Sequence, residues 1–220
     1  MRYRRSRGSG IWTGIILLAL FAVWTVLIQY VDVQIAGESQ TELGFATVNT
    51  RFHDLTGVHM EIYDLTDMLH LVPLAVCACF GILGLVQMIR RKGMSKVDKD
   101  ILLLGVYYIL VILAYLLFDA LRINYRPVLI EGKAEPSYPS STTLLVLSVM
   151  PTLVYQANRR LPNVGLRITV IVLAVLFSAF MVIGRIVSGV HWLTDFPGAI
   201  FLSAGLFLIY RGVADKFDSQ

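Results

Sequence analysis

Six apolar runs decide what this chain can fold into. They occupy residues 11–30, 71–89, 101–118, 142–156, 168–183 and 196–210. The hydrocarbon core of a bilayer offers no partner for a backbone amide, so a spanning segment must satisfy its own hydrogen bonds as a helix. Such a helix needs roughly 17–25 mostly apolar residues. The first three runs meet that length. The last three meet it once flanking residues join them, and Pro151 is expected to kink the fourth. Composition agrees: 15% of the 220 residues are charged and 56% are apolar, against about 25% charged in a soluble domain. The expectation is an all-α, six-transmembrane-helix bundle, with residues 1–220 forming a single membrane domain.

Basic residues orient the bundle. Arg2, Arg4, Arg5 and Arg7 precede the first run, and Arg90, Arg91, Lys92, Lys96 and Lys99 separate the second and third. Arg159, Arg160 and Arg167 separate the fourth and fifth, and Arg211 and Lys216 follow the sixth. In a six-span chain all of these fall on one side, which the positive-inside rule makes cytoplasmic. Both termini are then cytoplasmic, and an odd number of spans would divide the set. The first run is long for a signal-peptide core and reads as a retained anchor. The net charge of +4 comes from the inner loops. It points to anionic lipid head groups as neighbours rather than nucleic acid.

Residues 31–70 form the longest stretch between runs, on the outer side. They are acidic, with Asp32, Glu38, Glu42, Asp54, Glu61, Asp64 and Asp67 against Arg51. Val58, Ile62, Leu65 and Leu69 recur at helical spacing, which predicts a candidate interfacial helix. His53, His59 and His70 have no zinc-ligand spacing. Cys77 and Cys79, two apart in an apolar run, face different ways on a helix and read as packing residues.

The remaining basic residues are more informative. Arg122, Arg126, Lys133 and Arg185 sit in or beside two short outer loops, against the orientation rule. Snorkelling accounts for a single cation at a helix end. Four on one face suggest an anion site, and the planar fork of arginine suits phosphate oxygens. The second loop also holds His191 and Asp195, neighbours on a helix at i and i+4. There a carboxylate can hold one imidazole nitrogen and leave the other free to attack.

These loops resemble the motifs of the type-2 phosphatidic acid phosphatase superfamily, whose members are membrane phosphatases with soluble haloperoxidase relatives. The family patterns are Lys-x6-Arg-Pro, Pro-Ser-x-His and Ser-Arg-x5-His-x3-Asp. This chain has Asp119, Arg126 and Pro127 in the first, and Pro139, Ser140, Ser141 and Thr142 in the second. The third comprises Gly184, Arg185, His191 and Asp195. The resemblance implies a membrane phosphatase that works through a phosphohistidine on His191, oriented by Asp195. It implies a phosphate cradle of Arg126, Arg185, Ser140 and Ser141, and neither metal nor other cofactor. The partners it implies are a phosphorylated lipid substrate and the surrounding membrane lipids. The site would lie on the extracytoplasmic side of the plasma membrane.

Three positions depart from the family. Asp119 replaces the lysine, with Arg122 three residues on as its expected substitute. Gly184 replaces the serine. Thr142 replaces the histidine that protonates the leaving group, a service typically contributing 10²–10⁴-fold. Two readings follow. One is an enzyme favouring a lipid diphosphate, such as a polyprenyl diphosphate, whose leaving group needs little acid, or one that recruits Tyr138 or Lys133 as donor. The other is a weakly catalytic or inactive relative that binds a phosphorylated lipid or a partner protein. A transporter is disfavoured because the runs carry almost no charge.

Overall fold

The computed structural model describes residues 9–217, so Arg2, Arg4, Arg5 and Arg7 lie outside the described residues. The described chain is helical: α1 (Ser9–Tyr30), α2 (Ala46–Thr56), α3 (Met60–Leu69), α4 (Leu71–Arg90), α5 (Lys99–Leu121), α6 (Ser141–Arg160), α7 (Val164–Val187) and α8 (Asp195–Phe217). The exceptions to an all-α fold are short: a 3₁₀ turn at Met94–Lys96 and a two-stranded antiparallel hairpin. In the hairpin, β1 (Gln34–Ala36) pairs with β2 (Thr41–Leu43), Gln34 opposite Leu43.

Five helical segments are long and apolar enough to cross a membrane: Gly10–Tyr30, Met60–Arg90, Lys99–Leu121, Val164–Val187 and Asp195–Phe217. The two C-terminal segments reach spanning length because flanking residues extend both apolar runs. α6 has 20 residues but is too polar to stand among the five. Its position explains why. It packs against α4, α5, α7 and α8, so its polar groups meet protein rather than hydrocarbon. The Tyr107 hydroxyl donates to the Ser148 carbonyl at 2.9 Å, Tyr108 and Thr152 share a hydroxyl contact at 2.7 Å, and Gln156 donates to the Tyr210 hydroxyl at 3.0 Å. A helix surrounded by others gains nothing from being apolar all round, provided each polar group is paired.

α1 closes the bundle against α8 through small residues. A Cβ on Gly14 would stand 2.8 Å from the Gly205 carbonyl oxygen, so the two backbones approach more closely than any larger residue allows.

The acidic outer stretch is a brace. Asn49, fully buried, donates to the Thr194 hydroxyl at 2.9 Å and accepts from the Thr194 amide at 3.2 Å. The Glu38 amide donates to the Pro127 carbonyl, and the Glu38 carboxylate accepts from the Leu129 amide at 2.7 Å. The stretch thus ties together the two loops that carry the motifs. α3 does not stand apart as an interfacial helix. It runs to within one residue of α4 and lays Thr66 against α7, while Leu65 and Met68 remain exposed.

Candidate active site

Two loops at one end of the bundle supply the site. Residues 122–140 fold as an extended hairpin between α5 and α6, pinned by the Arg126 amide on the Glu135 carbonyl (3.0 Å) and the Ser137 amide on the Asn124 carbonyl (2.9 Å). This geometry sets the Arg126 side chain beside Glu135, with Nη2 to Oε2 at 3.2 Å. The second loop, between α7 and α8, turns at Gly189, whose φ of +70° favours glycine. A Cβ there would also strike the Gly57 carbonyl oxygen.

His191 lies in that second loop and is 3% exposed. Its Nδ1 stands 3.3 Å from Asp195 Oδ2 and 3.1 Å from the Ser137 carbonyl oxygen. Both partners are acceptors, so Nδ1 carries the proton. Asp195 Oδ2 is fixed in turn by the Trp192 amide at 2.9 Å. His191 Nε2 is buried and has no hydrogen-bond partner among the described residues. Burial lowers the His191 pKa well below its ordinary value, and the nearby charges of Arg126 and Arg185 lower it further. The ring is therefore neutral near pH 7, with the Nε2 lone pair available.

Arg185 is 1% exposed. It reaches back from α7 to α3, donating to the Thr66 hydroxyl at 3.2 Å and the Tyr63 carbonyl at 3.3 Å, and meeting Asp67 at 3.4 Å. Gly184 makes this possible. A Cβ at 184 would come within 2.8 Å of Thr66 Cγ2. The missing side chain lets Thr66 close on α7, and its hydroxyl now serves Arg185. The aromatic ring of Tyr63 gathers both guanidiniums, that of Arg185 at 4.6 Å and that of Arg126 at 5.5 Å. Nε and Nη1 of Arg126 and Nε of Arg185 are buried without hydrogen-bond partners among the described residues. Two cations packed on one ring, with donors to spare, form a place for an anion.

Arg126 and Arg185 line a cavity of about 540 Å³ that also exposes Ser141 and Thr142. These two residues open α6, where first-turn amides lack a carbonyl to bond and favour a negative group. On the other side the cavity is walled by Leu74, Val111, Ile112 and Leu116 from α4 and α5. Arg126 also borders an adjoining cavity of about 260 Å³ with Asp119 and Ser137.

The other predicted residues sit differently. Ser140 is fully buried at the head of α6 and gives its hydroxyl hydrogen to Thr143 at 3.0 Å, so it lines neither cavity. Arg122 caps α5 in a left-handed conformation and borders a separate recess beside α1. It does not take the place of the missing lysine. Lys133 sits at the hairpin turn and lines neither cavity. The Tyr138 hydroxyl is engaged with Thr25 at 2.7 Å, and burial pushes its pKa up, which makes it a poor proton donor. Among the described residues no group of three or more His, Cys, Asp or Glu could hold a metal ion. Tyr63, Thr66 and Asp67 were legible only as part of an acidic stretch, because the α3–α7 contact that brings them here is long-range.

Residues 118–218 match the family model of the PAP2 superfamily. That match covers a little under half of the chain and includes both motif loops. No match to a curated protein was found. The fold is similar to that in the crystal structure of the first transmembrane PAP2 type phosphatidylglycerolphosphate phosphatase from Bacillus subtilis. The TM-score is 0.67, with 17% identity over 93% of this chain and 97% of that one. The chain is thus a multi-pass membrane protein whose fold is similar to that of this transmembrane phosphatase.

Proposed function

We propose that this protein is a phosphoric ester or diphosphate hydrolase acting on a phosphorylated lipid. His191 is the nucleophile, Asp195 orients it, and Arg126, Arg185 and the Ser141–Thr142 amides bind the phosphoryl group. One observation carries the proposal: a buried, neutral histidine keeps Nε2 free beside two arginines whose guanidiniums are only partly satisfied. Phosphoryl transfer depends mainly on positioning and charge stabilisation, and these residues offer both. The His191 Nε2 lone pair attacks phosphorus and the leaving oxygen departs. Water then cleaves the phosphohistidine and releases phosphate. The apolar α4–α5 wall beside the arginines suits a lipid chain. Ser140 contributes through its place at the head of α6, not through its hydroxyl.

A lipid diphosphate such as a polyprenyl diphosphate is the favoured substrate. Its leaving group is itself a phosphate and needs the least help from an acid, which Thr142 cannot supply. We further propose that residues 1–220 act as one plasma-membrane domain with six spans, α6 being the shielded fourth. By charge bias the basic end faces the cytoplasm and the site faces outward. A reporter at the C-terminus that works only in the cytoplasm tests the orientation.

The test of activity uses purified protein in lipid vesicles with phosphatidic acid, phosphatidylglycerolphosphate and a polyprenyl diphosphate. Phosphate release that vanishes in His191→Ala, with a trapped phosphohistidine in the wild type, is the expected result. Release undiminished by that change rejects His191 as nucleophile. Binding of these lipids without any release favours the non-catalytic reading that the loss of the family histidine suggests.

A further inference from the structure

We propose that His70 is the proton donor to the leaving group, doing from the α3–α4 junction what the family histidine would do from position 142. This inference rests on the phosphohistidine reading above. Thr142 lines the 540 Å³ cavity, but a hydroxyl is too weak an acid near neutral pH. His70 lines the same cavity, together with Arg126 and Arg185. Its residue follows α3 directly and precedes α4 directly, so a helical backbone on both sides holds its position.

The ring is oriented in the way a proton donor needs. His70 Nδ1 contacts the Asp67 carbonyl oxygen, and Asp67 Oδ1 lies at 4.0 Å. Nε2 makes no hydrogen bond among the described residues, so it is the nitrogen left for substrate. Asp67 also meets Arg185 at 3.4 Å. Asp67 therefore serves both, its carboxylate meeting the arginine and its backbone carbonyl holding the histidine ring. His70 and Asp67 both line the cavity, in a part of the chain that the family motifs do not include. The charged groups facing it from neighbouring elements are Asp67 on α3, Glu135 and Arg126 on the hairpin, and Arg185 on α7. They balance in formal charge.

The chemistry closes. His191 Nε2 forms the P–N bond while the P–O bond to the leaving group breaks, its electron pair staying on that oxygen. Protonated His70 gives its Nε2 proton to the same oxygen and becomes neutral. Neutral His70 then takes a proton from water as the water oxygen attacks phosphorus. The P–N bond breaks back onto His191, phosphate leaves, and His70 is protonated again.

A leaving-group comparison on purified full-length protein in vesicles tests this. An alkoxide leaving group depends on the acid far more than a phosphate does. His70→Gln is expected to cut phosphate release from phosphatidic acid about 100-fold or more. Release from a polyprenyl diphosphate should fall by less than about tenfold, so the ratio of the two should rise at least about tenfold. The diphosphate activity of the same variant shows that it is folded. An unchanged ratio, whether both activities fall together or neither falls, overturns the role of His70. If that happens while His191→Ala is inactive, only this inference fails. If the wild type releases no phosphate from either lipid, or His191→Ala keeps its activity, the nucleophile and His70 fall together.

Discussion

Arginines gather at both ends of this bundle, and the two groups are treated differently. At the end with the basic loops, Arg160 meets Asp98 at 2.9 Å and Asp100 at 2.7 Å, and Arg159 meets Asp100 at 3.5 Å. Arg91 meets Asp98 at 2.7 Å, and Gln87 adds a hydrogen bond to the same carboxylate. Burial alone would raise the Asp98 pKa, yet the hydrogen bonds from Arg91, Arg160 and Gln87 outweigh it and hold the group at about 2. These contacts tie the α4–α5 connection to the foot of α6. At the other end, roughly 30 Å away along helices of this length, Arg126 and Arg185 each have one half-exposed carboxylate partner. Each also keeps buried donors without partners. Leaving a buried donor unsatisfied costs roughly 1–3 kcal/mol. The same residue type is structural where its charge is matched and, in the function proposed above, binds the phosphoryl group where it is not.

Substitutions at each end put this contrast at risk. The largest effect belongs to His191→Ala, expected to cut phosphate release by about 10³-fold or more, since removing a nucleophile ends the covalent route. Retained turnover would leave the unmatched end without chemistry. Arg185→Ala should follow, with a loss of roughly 10²–10³-fold in kcat, the scale of one preorganised transition-state donor. Thermal unfolding of the same variant should show whether the loss is catalytic. At the matched end, Arg160→Ala should do the reverse. It leaves the buried Asp100 with only Arg159, at 3.5 Å, as a cationic partner and is expected to cost about 2–3 kcal/mol of stability, below the full buried-pair value because Arg160 is partly exposed. Turnover per folded molecule should stay near wild type. A catalytic loss with unchanged stability would erase the distinction between the ends.

Gly184→Ser should cost about 1–2 kcal/mol by crowding Thr66, read by thermal denaturation. Thr66→Ala in the same chain should recover part of it. If Gly184→Ser is neutral alone, the proposed exchange between the two positions is wrong. The smallest effect concerns pH. Because the folded pKa of His191 lies below 6.5, its neutral form persists as pH falls through that value. The acid limb of kcat/KM attributable to this free-enzyme group should therefore lie below pH 6.5. For stability the sign is the same: below 6.5 the unfolded chain takes up a proton that the folded chain refuses. The contribution of His191 is thus fully present above 6.5 and lost as pH falls toward its folded pKa. An acid limb at or above 6.5 assigned to His191 would show that burial and the two arginines do not hold its pKa down.

Much of this was readable from residue order. Long apolar runs must become helices in a membrane whatever their neighbours do, so the helical architecture follows from hydropathy alone. The third motif was readable too, because His191 and Asp195 lie four residues apart and local geometry brings them together. The opposite holds for α6. Its apolar run, 142–156, read as short and as kinked at Pro151, and it holds Thr142, Ser148, Thr152 and Gln156. Only the surrounding helices explain why those residues are tolerated. Arg122 misled for a related reason: spacing placed it one turn from Asp119, but the helix ends there and the left-handed cap turns it toward α1.

By itself the sequence determined the helices, the motif loops and the pairing of His191 with Asp195, because each depends on hydropathy or on neighbours within one helical turn. Tertiary structure decided which cations stay unmatched, why position 184 has no side chain, and that His70 shares a cavity with Thr142. Those facts depend on α3 lying against α7, a contact across some 120 residues of chain that no local pattern encodes.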